Sequence, residues 1–181
     1  MLAGMYRDNS LVPAEAIRLT ALGLLAGGDL RYDALAAAVR RTIAQLAGPS
    51  LDLMGPSLEL LRFEGLVRPV DGSGERALLS LTDEGRQALE ALLCANVRPQ
   101  VTDFNRLVIG LKLRFLPLLP AGRRRDQLEM MEDLYRAEVA RLSALRDGPE
   151  GAEGLLGPWL DLEIAAARAR IDWCLAAQAA L

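Results

Sequence analysis

The chain has no histidine, one lysine (Lys112) and two cysteines among its 181 residues. Histidine is the commonest general base and the commonest transition-metal ligand, so its absence removes the usual starting point of both kinds of site. Cys94 and Cys174 are too few and too far apart for a zinc site of the usual kinds. The sequence also lacks a Gly-rich phosphate-binding loop that ends in Lys-Ser or Lys-Thr. We therefore expect no metal, no cofactor and no enzymatic activity.

Long apolar runs and the marks of an export signal are also missing. No stretch of about 18 apolar residues is free of charges, so no membrane span is expected. Residues 1–10 contain no apolar core of a signal peptide. These absences predict a cytoplasmic protein, in which Cys94 and Cys174 stay reduced and pack as small apolar side chains.

The composition is that of a folded protein, with 51% hydrophobic and 25% charged residues. Residues 1–98 carry 10 arginines and 12 acidic residues, a net charge of −2, and residues 99–181 carry 11 basic and 12 acidic residues, a net charge of −1. Neither half has the basic excess that is usual for nucleic-acid-binding proteins. A local basic face remains compatible with this balance, because screening limits the reach of a charge to about 10 Å.

The run from Gly55 to Thr82 organises the sequence, and it begins as an amphipathic helix. Leu58, Leu61 and Phe63 are spaced to form one apolar stripe that the helix buries. Gly65 then supplies a residue that can adopt the left-handed conformation that ends helices.

A short hairpin follows this helix. Leu66–Val70 and Arg76–Leu81 are predicted strands, which the Gly-rich loop between them joins. Thr82 is suited to cap a further helix that extends to about Val97. A helix, a glycine stop, a hairpin and a helix in this order are the ending of a winged helix-turn-helix domain.

The rest of the chain is predicted to be helical. Upstream, helices are expected at about 13–26, 32–46 and 51–64; downstream, at about 101–118, 124–147 and 158–180. Arg98-Pro99 marks the predicted boundary between a winged helix-turn-helix DNA-binding domain (1–98) and a helical dimerisation domain (99–181). The fold class is thus mainly α with a small β-hairpin.

The last helix carries a heptad-like apolar stripe, which suits helix-on-helix packing. Its members are Leu160, Ile164, Ala167, Ile171 and Cys174. Helices with such wide apolar stripes do not bury themselves easily in one chain, so we expect a two-fold dimer. The alternative is a monomeric helical subdomain that folds back on the first domain.

Three motifs resemble the PadR family of bacterial transcriptional regulators: LTALGLLAGG (19–28), GPSLELLRFEGLV (55–67) and LSLTDEGRQAL (79–89). The resemblance covers the chain from about residue 12. It implies a winged helix that binds operator DNA, a helical tail that dimerises, and effectors that can bind between the two.

The chain departs from the family pattern at positions that would face DNA. Gly55 stands where the family usually has a tyrosine, and Glu59 and Leu60 stand where it usually has basic residues. RYDAL (31–35) replaces the family's HGYEL. These departures and the acidic balance favour a second hypothesis, a winged-helix dimer that acts as a protein-interaction module or anti-regulator.

The candidate DNA-binding residues are polar or basic side chains on the two helices of the helix-turn-helix and on the wing. They are Arg31, Tyr32, Arg40, Arg41, Ser50, Ser57, Arg62, Arg68, Ser73 and Arg76. Arg62 could pair with a guanine or grip a phosphate, while Arg68 and Arg76 flank the wing loop and suit phosphate contacts.

The candidate ligand-binding residues are aromatic: Phe104, Trp159 and Trp173. A flat aromatic effector would stack on such side chains. The alternative interpretation places both tryptophans in the core of the dimer interface. The leading hypothesis is therefore a homodimeric PadR-like regulator, most simply a repressor, on a pseudo-palindromic operator in double-stranded DNA.

Overall fold

The computed structural model describes residues 10–47, 58–98, 102–149 and 154–181. The chain forms two compact units, Met1–Leu119 and Pro120–Leu181. The predicted functional boundary after residue 98 stays a prediction. The first compact unit continues past residue 98, because the helix that follows this residue packs on the first two helices of the chain.

The helices of the described residues match the predicted pattern closely in the first and last parts of the chain. Their bounds are α1 Pro13–Leu25, α2 Tyr32–Ala47, α3 Leu58–Phe63, α4 Asp83–Leu93, α5 Asp103–Phe115, α6 Ala121–Asp147 and α7 Leu156–Ala179. Short 3₁₀ turns lie at Gly74–Arg76 and Leu116–Leu118. The predicted start of the third helix, near residue 51, falls outside the described residues.

The sheet has three antiparallel strands in the order β1-β3-β2, rather than the two of the predicted hairpin. Its strands are β1 Leu30–Arg31, β2 Val67–Asp71 and β3 Leu78–Leu81. In the hairpin, Val67 pairs with Leu81, and the register shifts between Pro69 and Asp71. The additional strand β1 pairs Leu30 with Leu79. It has only two residues, which is too short for the alternation that identifies a strand in sequence.

The end of α3 is joined tightly to the start of α4. Gly65 has a φ of +75°, as the predicted helix stop requires. The predicted cap of α4 is confirmed: the Thr82 hydroxyl accepts from the Gly85 N–H at 3.0 Å. The same hydroxyl oxygen lies 2.7 Å from the Gly65 carbonyl oxygen, to which it donates, and 2.9 Å from that of Leu66. A Cβ on Gly85 would collide with the Leu66 carbonyl oxygen.

The core of the first unit lies between α1, α2, α5 and the sheet. Leu19, Leu22, Leu35 and Leu79 are fully buried in it. As predicted, α1 is apolar nearly all round, and eight of its thirteen residues are buried.

Close packing also joins α5 to α1. The ring of Phe115 lies against Gly23, where an added Cβ would be 2.8 Å from ring carbons. Only glycine fits there without a shift of the ring, so this position fixes how closely the two helices approach.

Lys112 on α5 is completely buried. Its ammonium group donates to the carbonyl oxygens of Leu93 and Ala95, at the C-terminal end of α4. These are carbonyls that a helix end leaves without a partner, so Lys112 closes the end of α4 from a neighbouring helix. Burial lowers the pKa of Lys112 to about 8.

The second unit is a pair of packed helices, α6 and α7. Arg146 bonds to Asp161 at 2.8 Å and Gln178 bonds to Glu132 at 2.9 Å. The bonded partner on α7 has a higher residue number where the partner on α6 has a lower one, so the two helices are antiparallel. Leu142 of α6 forms a common core with residues of α7.

The predicted apolar stripe of α7 is confirmed as its buried side, and we call it the inner stripe. It consists of Leu160, Ile164, Ala167, Ile171 and Cys174. Burial raises the pKa of the Cys174 thiol, so this cysteine behaves as a small apolar side chain, as predicted. Cys94 is half-buried, and both cysteines are free.

Candidate nucleic-acid interface

We call Pro13–Leu93, which contains α1–α4 and the sheet, the head. Its helix α3 turns Leu58 and Leu61 into the core. Successive helical residues are rotated by about 100°, which places Phe63 opposite the midpoint between these two leucines. Phe63 is 90% exposed, so the prediction that it belongs to the buried stripe is wrong. Glu59 and Leu60 are also exposed and flank it on the outer face of α3.

Ion pairs hold both acidic residues of this segment. Arg62 Nη1 lies 3.3 Å from Glu59 Oε2 on the same helix. Arg18 of α1 lies 2.8 Å from Glu64, just beyond the end of α3. The Arg62 guanidinium therefore pairs with Glu59 on its own helix.

The wing is a tight loop between β2 and β3. Gly72 and Gly74 have φ values of +70° and +57°, a region that glycine adopts without strain. The Asp71 carboxylate accepts from the Gly72 N–H at 2.8 Å. This geometry leaves Ser73 and Arg76 exposed at the loop.

The start of α2 lies beside the base of the wing. Arg31 Nη1 donates to the Arg76 carbonyl at 3.4 Å, and the Tyr32 N–H donates to the Ala77 carbonyl at 3.0 Å. The structure thus brings Arg31, Tyr32 and Arg76 together, although they are far apart in sequence. The short strand β1, which the sequence did not predict, pairs with β3 and so brings Arg31 and Tyr32 close to Arg76.

The remaining candidate DNA-binding residues are distributed more widely. Arg68 is exposed on β2, an edge strand of the sheet, and Arg40 and Arg41 are exposed on α2. Ser50 and Ser57 lie outside the described residues.

The aromatic residues predicted to bind a ligand do not form a common site within either unit. Phe104 is half-buried near the start of α5 in the first unit, whereas Trp159 and Trp173 lie on α7 and are about half exposed. Fourteen residues of α-helix separate the two tryptophans by about 21 Å. A single small ring therefore cannot touch both of them in one chain.

A shallow cleft of about 200 Å³ lies elsewhere in the first unit. Its lining comes from the end of α1, from α4 and from the turn after α5: Ala26, Arg86, Leu89, Glu90, Leu93, Leu118 and Leu119. None of the aromatic candidates lines it.

Across the part of the chain that the structure describes, no group of three or more histidine, cysteine or acidic side chains is placed to hold a metal ion. Within the same residues, the helices are all too short or too polar to cross a bilayer.

Comparison with protein families gives one match that spans almost the whole chain. Residues 6–177 match a family described as "Putative AphA-like transcriptional regulator". The predicted class of protein, a transcriptional regulator rather than an enzyme, is confirmed by this match. No curated protein sequence matches the chain.

Solved structures similar to the chain include three of PadR from Bacillus subtilis. The complex with p-coumaric acid is 19% identical, with a TM-score of 0.38 over 91% of this chain and 97% of that one. The protein without a named ligand is 20% identical, with a TM-score of 0.38 over 94% and 97%. The complex with operator DNA is 20% identical, with a TM-score of 0.36 over 90% and 97%.

Proposed function

The chain belongs to the AphA-like family of transcriptional regulators, and from this premise we propose that it is a homodimeric repressor that binds a pseudo-palindromic operator in duplex DNA. The observation that carries the proposal is the head itself, in which an outward-facing α3 stands next to a wing with exposed arginines. Each head would place α3 in a major groove, with half-sites about 34 Å apart. Such a protein acts in the cytoplasm.

The arginines of the wing region would supply the phosphate contacts. Arg31 and Arg76 lie together at the base of the wing, and Arg68 is exposed on the neighbouring edge strand. Phosphate contacts fix the position of a protein on the duplex without reading its sequence. Ser73 of the wing tip, Arg40 and Arg41 of α2, and the two serines before α3 complete the proposed surface.

Dimerisation would use the side of α7 that faces away from α6. We call this side the outer stripe; it consists of Trp159, Leu162, Ala166, Ala169 and Trp173. The helical rotation puts these residues on one line, opposite the inner stripe. Leu162 is 65% exposed, and the two tryptophans are 52% and 50% exposed. An apolar seam of this length is the kind of surface that a second copy covers.

A small aromatic effector is a further part of the proposal. Phe104, Trp159 and Trp173 are the candidate side chains on which a planar ligand would stack, and for the two tryptophans this role is the alternative to a place in the dimer seam. In this arrangement one tryptophan, not both, would serve each bound ring.

Footprinting on the DNA upstream of its own gene tests the function. We expect a protected region with two half-sites, and binding that weakens steeply as salt rises, because each phosphate contact releases counterions. Binding that is absent at low ionic strength on this DNA and on a random duplex pool would overturn the proposal.

The second candidate is a protein-interaction module without operator binding. Glu59 and Leu60, which stand exposed on α3 in place of basic residues, favour it, as does the net charge of −3. The same experiments separate the two functions, since a protein-interaction module shows no salt-dependent affinity for any duplex.

A further inference from the structure

Phe63 is the most exposed large apolar side chain in the described part of the chain. Its position opposite the buried side of α3 makes it the centre of the outer face, and Leu60 beside it is 43% exposed. The core does not use this ring, and β2 and β3 do not cover it. An exposed aromatic side chain at such a position is suited to contact a binding partner.

The charges around Phe63 are balanced within the head. Arg62 neutralises Glu59, and Arg18 neutralises Glu64. The outer face of α3 is therefore apolar at its centre, and its acidic groups have intramolecular partners. The exposed arginines of the wing region belong to the same head and favour an anionic partner there.

The chemistry of the major groove offers one apolar feature that such a face can recognise. Guanine, cytosine and adenine present hydrogen-bonding groups at their edges, whereas thymine also presents its 5-methyl group. A phenyl ring cannot donate or accept a hydrogen bond in the way an arginine or asparagine does, but it packs well on a methyl group.

We propose that Phe63 is the specificity-determining residue of the head and that it reads the 5-methyl group of thymine in each half-site. The inference rests on the proposed binding of duplex DNA through α3. It names the kind of operator that the head prefers, one with a thymine at a fixed position of each half-site.

The test uses the full-length protein and DNA that differs by single methyl groups. Preferred duplexes are first selected from a random pool made with thymine. Each thymine of the selected site is then replaced, one position at a time, by deoxyuridine, which lacks only the methyl group. For the wild-type protein we expect one position per half-site at which the replacement weakens binding about fourfold, the factor for burying one such group.

Phe63→Ala gives the decisive comparison. It should bind the thymine duplex more weakly and lose the difference between thymine and deoxyuridine at that one position. Since the ring is 90% exposed, the variant should fold, which circular dichroism verifies. Val12→Ala, which shortens another exposed apolar side chain of the same unit, should keep the full difference.

Four results would overturn the inference, and they differ from one another. Wild-type protein that binds both bases equally at every position contradicts the methyl contact, as does a difference that persists in Phe63→Ala. If the wild-type protein retains no duplex at low salt, the proposed function fails as well. Unchanged DNA binding by Phe63→Ala would leave the ring as a contact for a protein partner.

Discussion

Lys112 has an ammonium group that is desolvated and yet bonded to two carbonyl oxygens at the end of α4. Its pKa is about 8 in the folded chain, against an ordinary value of 10.5 for a solvated lysine. The unfolded chain thus holds more protons between these values, so the free energy of unfolding should rise with pH in this window. The full effect approaches about 3 kcal/mol, at 1.36 kcal/mol for each pH unit of the shift.

The change Lys112→Met should remove this rise. Methionine has a similar length and no charge, so the variant keeps the packing and loses the titrating group. Denaturant unfolding of both proteins at several pH values from 7 to 10.5 gives the difference between their free energies of unfolding. The titration of the tyrosines is common to both proteins and cancels in this difference. Two parallel curves would contradict the argument.

Arg68 and Arg62 differ in their surroundings, which predicts different effects on DNA binding. Arg68→Ala should weaken binding uniformly across sequences and lower the slope of log affinity against log salt by about 1, the change for one lost phosphate contact. Arg62→Ala should weaken it too, partly because Glu59 then loses its cation. Fluorescence anisotropy at three or more salt concentrations measures both. An unchanged slope for Arg68→Ala would remove this residue from the phosphate contacts.

Part of this residue-level pattern could be predicted from the sequence. Glu59 and Arg62 are three residues apart on a predicted helix, a spacing that favours an ion pair, and this signal was available. The Arg18–Glu64 pair could not be predicted from the sequence, because its members are 46 residues apart. The exposure of Phe63 was also hidden, since an apolar residue next to a buried stripe is ordinarily assigned to that stripe.

At the level of elements, the junction between α3 and α4 is tightly constrained. Gly85→Ala would push a Cβ into the Leu66 carbonyl oxygen. The shift would break the hydrogen bond from the Thr82 hydroxyl to this carbonyl, which follows the end of α3. We expect a loss of roughly 2 kcal/mol or more, as for other forced backbone shifts. Thermal unfolding measures it, and DNA binding should fall with it because α3 is displaced.

Gly122→Ala is the matched control. This glycine is in the first turn of α6, and an added Cβ would meet nothing within 4 Å. The same substitution should therefore be neutral or stabilising by about 0.5 kcal/mol. Equal losses in both variants would show that the close contact at Gly85 has no special weight.

The elements differ in how far the sequence predicts them, for a physical reason. Periodicity places α1, α2, α6 and α7 to within three residues, because their apolar stripes are long. Strand β1 has no periodicity to detect. The sequence shows the apolar stripe of α5 but not its partner, and only the structure shows α5 packed on α1 and α2 in the first unit.

At the scale of the whole molecule, the proposed operator binding depends on whether a second copy covers the outer stripe of α7. Trp173→Glu places a charge at this apolar seam, where burial without a partner costs several kcal/mol. We expect the dimer to dissociate into monomers, as measured by light scattering after size exclusion. The inner stripe and the α6 contacts are untouched, so the helix pair should keep its helical signal.

Arg168→Glu is the control for this change, because Arg168 is exposed on α7 outside the outer stripe. This substitution changes the net charge of the chain by two units and should leave the dimer intact. Dissociation should also weaken operator binding far more than any single phosphate contact, since two linked heads bind a pair of half-sites with a high effective concentration. A wild-type protein that is already monomeric at micromolar concentration would remove the basis of the paired-head arrangement, whereas a dimeric Trp173→Glu would place the interface elsewhere.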